Sequence, residues 1–567
     1  MPRLGAVLVV VLIAAFTYPG AVAVSMIARL TPLPAVASPG TPGSLPWLHV
    51  EHPQNGRPYI ADDSARLVLL HGAVPADLLD FGSKSGADAP PLYSIDPAAY
   101  ASRCPDPSAA SRYPPLCQSD LAQMAALGFN SLRLPLSWSL LEPVRGQFSQ
   151  LYVDRVAQVV DWARSAGIYV ILDMHQNAYS RFVGPGRGVD LSYNSGAPAW
   201  ATITDGMPSQ VFLNGQREAN LAVFEAFTNF WFNRAGIQDE YIATLAFLGK
   251  RFKDDSTVIG YSIFNEPQPG WNLPPGFEDL LLFPFYRRAI DAMTGVHDGL
   301  PCPTGNFMPA SCGYADLGLH DLRHLFFLEP GLLRQITDLP THLGLPVSSY
   351  TNLVLDIHAY THGYTIDKLI FNQDPDHAIY PWGGYDQTYS LAEREAKAIG
   401  AALFVSEFGN DPKYDSLLLA NELLEQEKHD VGFAFWTWKE SGGAGSWGMF
   451  DAARTDVSPM PSSGCLRAGR ERLLARVYPR ATSDPTLTYH YDAASGGFTL
   501  TAHGRAGDPA TVVSIPPEVR GSVAVSGADV PVTETSSDGS RLVSVSPSGG
   551  PFSIVVAPAQ LALAGCG

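Results

Sequence analysis

Eight short apolar runs, separated by amphipathic helical stretches along residues 60–478, constrain the fold of this chain more than any other feature. They cover 67–73, 131–135, 168–174, 258–264, 324–329, 353–358, 401–407 and 432–438. A run that is apolar at consecutive positions, without polar alternation, is buried on both faces, which is the condition of a strand in a helix-covered parallel sheet. Between the runs lie amphipathic segments such as 120–127, with Ser119 expected as its N-cap, 153–166 and 240–252. Eight such units predict an α/β chain whose sheet closes into a (β/α)8 TIM barrel. A hydrophobic fraction of 46 % with 11 % aromatic residues supplies the core this needs and excludes a disordered chain.

A length of 567 residues leaves room for more than the barrel. After residue 479 the runs shorten to 498–501, 511–514, 542–545 and 552–556, alternate in polarity, and are divided by Gly, Pro, Ser and Asp clusters. That texture predicts a C-terminal antiparallel β-sandwich domain. At the other end, Arg3 precedes the apolar stretch 4–16, followed by Pro19, Gly20 and the small-x-small triplet Ala21-Val22-Ala23. This is the pattern of a secretory signal peptide, so the expected division is signal peptide 1–23, linker 24–46, catalytic barrel 47–479 and sandwich 480–567. A second triplet, Ala35-Val36-Ala37, leaves two places for the mature start, and an uncleaved anchor reaching Leu30 is the alternative. The expected location is secreted or at the cell surface.

The six cysteines agree with export: none has metal-ligand spacing, and proximity favours the pairs Cys104–Cys117 and Cys302–Cys312, leaving Cys465 for Cys566. With 37 basic against 55 acidic residues the net charge is −18, which argues against nucleic acid and against ionic docking on anionic lipid. The expected partner is a neutral substrate met by a monomer.

In a barrel of this kind, polar residues closing an apolar strand gather on one face. They are Arg133 on strand 2, Asp173 and His175 on strand 3, Asn265 and Glu266 on strand 4, His358 and Tyr360 on strand 6, Glu407 on strand 7, and Trp436 or Trp438 on strand 8. Two carboxylates facing one cavity are what acid/base cleavage of a glycosidic bond needs: a nucleophile, and an acid with a raised pKa about 5 to 5.5 Å away when configuration is retained. Arg133 is expected to keep Glu407 ionised while Glu266 stays protonated. Glu329, which also closes a strand, is the second-choice carboxylate. No metal or cofactor is expected, since the histidines form no ligand spacing and no glycine-rich phosphate loop follows a strand.

The ordered set Leu132-Arg133, Asp173-Met174-His175-Gln176, Asn265-Glu266-Pro267, His358-Ala359-Tyr360, Ser406-Glu407-Phe408-Gly409 and Trp436-Thr437-Trp438 resembles glycoside hydrolase family 5. Within it, DMHQNAYSR at 173–181, GAPAWAT at 196–202, Thr204-Asp205-Gly206 and FTNFW at 227–231 resemble the endoglycosylceramidases, which cut between a sugar head and a ceramide. The resemblance implies a retaining double-displacement mechanism, with Glu266 as acid/base and Glu407 as nucleophile. It implies also a sugar subsite lined by Trp200, His358, Tyr360 and the strand-8 tryptophans, and a C-terminal sandwich. Asn177 departs from the pattern, where Asp is usual and is expected to bind the first sugar; an amide keeps an acceptor and loses the charge. The 76–117 segment is also longer than in typical members.

The expected substrate is therefore a glycolipid, with soluble β-glucans or steryl glucosides as the alternative and a non-catalytic glycan-binding protein as a third reading. The apolar stretch 271–286 after Glu266 either meets lipid or a membrane surface transiently, or packs on the barrel.

Overall fold

The computed structural model describes residues 45–565 apart from 83–93, 102–103, 106–112, 187–188, 214, 273–275, 298–314, 339–346, 364–365, 376–383, 442–445 and 452–464. Eight strands close a barrel: β1 (His71–Val74), β2 (Ser131–Ser137), β3 (Tyr169–His175), β4 (Val258–Ser262), β5 (Leu325–Leu328), β6 (Leu353–His358), β7 (Ala402–Phe408) and β8 (Gly432–Trp436). Every neighbouring pair is parallel, including β8 with β1. Each strand is buried along its whole length, as the unbroken apolar runs require.

Helices α1 (Gln118–Ala126), α2 (Gln150–Ser165), α3 (Leu221–Trp231), α4 (Ile237–Phe252), α5 (Phe283–Thr294), α6 (Leu332–Thr337), α7 (Tyr385–Ala398) and α8 (Leu419–Lys428) cover the outside. The cap of α1 is Cys117 and not Ser119: the Asp120 carboxylate accepts the Cys117 N–H at 2.7 Å, so the helix starts two residues earlier. Cys104 and Cys117 are disulfide-bonded, as spacing suggested. Cys465 is also disulfide-bonded; its expected partner Cys566, and Cys302 and Cys312, lie outside the described residues.

The first apolar run divides between two cores. Leu67–Val68 is a strand of another sheet, and only His71–Val74 enters the barrel. That other sheet has seven antiparallel strands, in the order 48–51, 59–62, 67–68, 478–482, 511–515, 541–545 and 532–535. A four-stranded sheet (488–492, 497–504, 550–556, 523–526) packs on it, and Leu67, Tyr478, Phe498, Leu500, Val513, Val543 and Ile554 share the core between them. The sandwich thus takes strands from both ends of the described chain, whereas the sequence places it after residue 479 alone. Among the described residues no helix is long and apolar enough to cross a membrane; of the expected leader and linker, 1–46, residues 1–44 lie outside them.

Candidate active site

Inward and outward positions alternate along a strand, so Arg133, Asp173 and His175 point into the mouth of the barrel while Leu132, Leu134 and Leu172 join the helix-facing core. On β7 the alternation is broken. Val354 pairs with Ala402 and Asp356 with Phe404, but His358 then meets Glu407 and skips Ser406. This bulge turns Glu407 into the line of inward residues. The glycine that ends the Ser406–Gly409 motif is required by the same packing: a Cβ on Gly409 would collide with the Trp436 carbonyl oxygen.

Arg133 is fully buried and holds the floor of the site. Its guanidinium donates to Glu407 Oε2 at 2.9 Å, Glu329 Oε1 at 2.7 Å and Asn265 Oδ1 at 2.7 Å, and lies 3.2 Å from Asp173. Burial opposes its charge, but Asp173, Glu329 and Glu407 outweigh that and raise its pKa. Asp173 lies 2.8 Å from His175 Nδ1; burial raises its pKa, yet Arg133 and His175 bring it below the usual value. Asn265 reaches the Gln176 carbonyl at 3.0 Å and lies 3.5 Å from His175 Nε2. His175 stacks on Trp436 at 5.7 Å, and Tyr113, from the long segment after β1, sets its ring edge against the same tryptophan at 5.8 Å.

The two candidate carboxylates meet over this floor. One oxygen of Glu266 and one of Glu407 lie within 4.8 Å of each other and of a His358 ring nitrogen. His358 Nδ1 sits 3.0 Å from Glu266, Nε2 3.2 Å from Glu329 and 3.8 Å from Glu407, and Tyr360 donates its hydroxyl to Glu407 Oε1 at 2.7 Å. Glu266 stands just past β4 with φ +45°, a left-handed conformation that costs a non-glycine residue energy and is commonest where a site demands it. Its N–H is held by Glu329 Oε2 at 2.7 Å and its carbonyl by Gln176 Nε2 at 3.0 Å.

The electrostatics run opposite to the expected order. Burial raises Glu266, but the hydrogen bond and charge of His358 prevail and hold it below the usual carboxylate range. Burial raises Glu407, and His358 and Arg133 only partly offset it, so it lies above that range. The cause is division of charge: Arg133 serves three carboxylates, while His358 aims one nitrogen at Glu266. His358 itself, despite burial, is raised well above an ordinary histidine by Glu329, Glu407 and Glu266.

Glu329, the rival carboxylate, has a side chain with no exposure, against 18 % for Glu266 and 8 % for Glu407. Its oxygens are spent on Arg133, His358 and the Glu266 N–H, so it orients the site from behind. Asn177 sits at the rim, where its Oδ1 accepts from Arg217 at 3.1 Å and its Nδ2 donates to Ser195 at 3.3 Å. Trp200 is placed further out, donating to the Glu142 carbonyl at 3.2 Å and packing edge-on against Trp138. Trp438 is a correction: it is fully buried, donates to Asp120 at 3.1 Å and packs against Phe129 and Phe450 in the helix-facing layer. Sequence reasoning passed over Gln176 and Gln335. The first braces the backbone of Asn265 and Glu266, and the second accepts the His358 N–H at 2.7 Å. The position of Gln176, next to His175 in a strand-ending motif, was the available signal.

The stretch 271–286 mostly packs. Phe277, Leu281, Leu282, Phe283, Phe285 and Tyr286 are buried, whereas Trp271 and Leu280 are 45 % and 43 % exposed. Trp271 continues a ridge through Phe224 to the exposed Phe212.

A parallel eight-stranded barrel with paired carboxylates on the ends of two strands, a histidine between them and a buried arginine below defines a glycoside hydrolase. The comparisons with known proteins specify which kind. The model of cellulase (glycosyl hydrolase family 5) matches residues 108–278. Endoglycoceramidase I of Rhodococcus hoagii (strain 103S) is 25 % identical over 517 residues, covering 88 % of this chain and 86 % of that one. The crystal structure of an endogalactoceramidase superposes with a TM-score of 0.66 at 27 % identity, over 90 % of this chain and 100 % of that one. Endo-glycoceramidase II from Rhodococcus sp., in its ganglioside GM3 complex, shares the fold with a TM-score of 0.64 at 24 % identity, over 89 % and 100 % of the two chains. The chain is a glycoside hydrolase that matches family 5 over 108–278 and is similar over most of its length to the endoglycoceramidases.

Proposed function

We propose that the chain is an exported retaining β-glycosidase that cleaves between a glycan and a lipid aglycone, with a glycosylceramide as the substrate type. The observation that carries the chemistry is the approach of Glu266 and Glu407 to within 4.8 Å. That approach suits direct attack by a carboxylate, as in retaining enzymes with carboxyl groups about 5 to 5.5 Å apart, better than the about 6.5 to 9.5 Å of inverting ones. Glu407, fixed by Tyr360 and Arg133, attacks the anomeric carbon; Glu266 protonates the leaving oxygen and then activates water. The proton to be delivered is held between Glu266 and His358, so a leaving oxygen arriving at Glu266 competes with the imidazole for it. Asn265, turned toward the cavity by Arg133, suits a sugar 2-hydroxyl. For the aglycone, the exposed Trp271, Phe212 and Leu280 lie in the segments that follow β3 and β4, at the end of the barrel where the carboxylates stand, and offer an apolar rim for acyl chains or brief contact with a membrane surface. The signal-peptide pattern at 1–23 supports export.

Incubation with a panel of glycosylceramides is expected to release intact glycan and free ceramide; hydrolysis confined to cello-oligosaccharides or steryl glucosides overturns the aglycone assignment. Glu407→Gln is expected to abolish turnover with the fold intact by circular dichroism. Glu266→Ala should lose about 10²- to 10⁴-fold on glycolipid yet keep cleaving aryl glycosides whose leaving group needs no proton. Equal losses on both substrates would overturn the acid role.

A further inference from the structure

The outer face of α7 and α8 carries a second cluster of carboxylates around a histidine, on the outside of the barrel. His429, which follows α8, lies with Nε2 3.2 Å from Asp386 and 4.0 Å from Glu425 Oε2, and its ring stacks on Tyr389. One ligand atom from each of Asp386, Glu425 and His429 falls within 4.8 Å of the others. Salt bridges alone would not set this cluster apart, but two further features do. The Glu425 side chain is only 8 % exposed, its Oε1 is taken by Lys428 at 2.6 Å, and its Oε2, the oxygen that faces the imidazole, is buried without a hydrogen-bond partner. An unpaired buried carboxylate oxygen is costly and calls for a cation. The other nitrogen, His429 Nδ1, lies 3.0 Å from Glu393, whose carboxylate is in turn fixed by Arg57 at 2.8 Å. A carboxylate on the far nitrogen retains Nδ1–H, so that loss of the Nε2 proton, which here faces Asp386, leaves Nε2 as the ligand atom, the way metal-binding histidines are oriented.

We propose that Asp386, Glu425 and His429 form a binding site for one first-row divalent metal ion, best matched by Zn²⁺. Zinc bonds nitrogen and carboxylate oxygen at about 2.0 to 2.2 Å, so tetrahedral ligands stand about 3.3 to 3.6 Å apart. The separations of 3.2 and 4.0 Å bracket that spacing. Binding releases the proton from Nε2 if the imidazole carries one, and Nδ1–H goes on donating to Glu393. The Asp386 side chain is 68 % exposed, which gives the ion a path in and leaves its fourth position to water. The ion would tie α7 to the end of α8, away from the carboxylates of the active site.

The test is titration of the metal-stripped full chain with Zn²⁺ by calorimetry, with the thermal midpoint followed in parallel. One saturable site is expected, together with a rise in midpoint, since a ligand that binds only the folded form stabilises it. Affinity should fall at least about 10-fold in Asp386→Asn, Glu425→Gln and His429→Gln, and stay unchanged in Glu407→Gln, which controls for capture by the active-site cluster. Because Asp386 is exposed, its variant keeps the question open to test should the buried substitutions unfold. Absence of saturable binding, or binding lost in Glu407→Gln and unchanged in Asp386→Asn, overturns the proposal.

Discussion

Arg133 is the residue on which the site's geometry turns, because one planar guanidinium fixes a nucleophile candidate, an orienting carboxylate and the amide of Asn265 at once. The two tryptophans of the Trp-Thr-Trp motif show how far such roles divide between neighbours. Trp436→Ala should raise KM by about 10-fold or more and leave the melting temperature little changed, because its ring faces His175 at the mouth. Trp438→Phe should instead cost about 1–3 kcal/mol of stability, read by denaturant unfolding, with KM unaltered, because its indole N–H is spent on buried Asp120. A KM effect in the second variant would contradict that placement. The sequence could not separate the pair. Residues two apart share a face only while the strand lasts, and β8 ends at Trp436. Strand-ending polar residues were legible because a buried arginine or aspartate has no other reason to interrupt an apolar run. The direction of the proton between Glu266 and Glu407 was not, since it depends on where His358 points.

At the level of elements, α7 and α8 meet through a buried carboxyl that titrates near neutrality. Burial raises Glu422 to about 8, and its carboxyl accepts from Tyr389 at 2.6 Å. In the unfolded chain the same group ionises near about 4.3. Between those values the unfolded state releases a proton that the folded state keeps, so this contribution to stability is fully present below the lower value and is lost as pH rises through about 8. Glu422→Gln, neutral throughout, should flatten the fall in melting temperature from about pH 5 to 8 seen by calorimetry. A residual slope is expected from Asp430 and Glu518, both raised to about 7 by burial. An unchanged slope would show Glu422 to be ionised in the fold. The helices themselves were readable from periodicity to within a few residues at their starts. The first strand was not: residues 67–70 are uniformly apolar, yet Leu67 and Leu69 face the sandwich core while Leu70, with Val74 further on, faces the barrel interior. Hydrophobicity reports burial and not against what.

Across the whole molecule, the seven-stranded sheet joins the region before the barrel to the region after it. Val68 pairs with Ala481, and Leu67 with Thr482. Residues 480–567 expressed alone should therefore stay largely unfolded by circular dichroism and amide exchange, with three strands of one sheet missing. Appending 45–70 through a flexible linker should restore protection; a stable sandwich from the C-terminal piece alone would contradict this. The shared sheet also orders events in time. The strands at 48–68 leave the ribosome first and find their partner at 478–482 only after the entire barrel has been made. Until then they expose an unpaired edge, which stays open to wrong partners for as long as the barrel takes to be made.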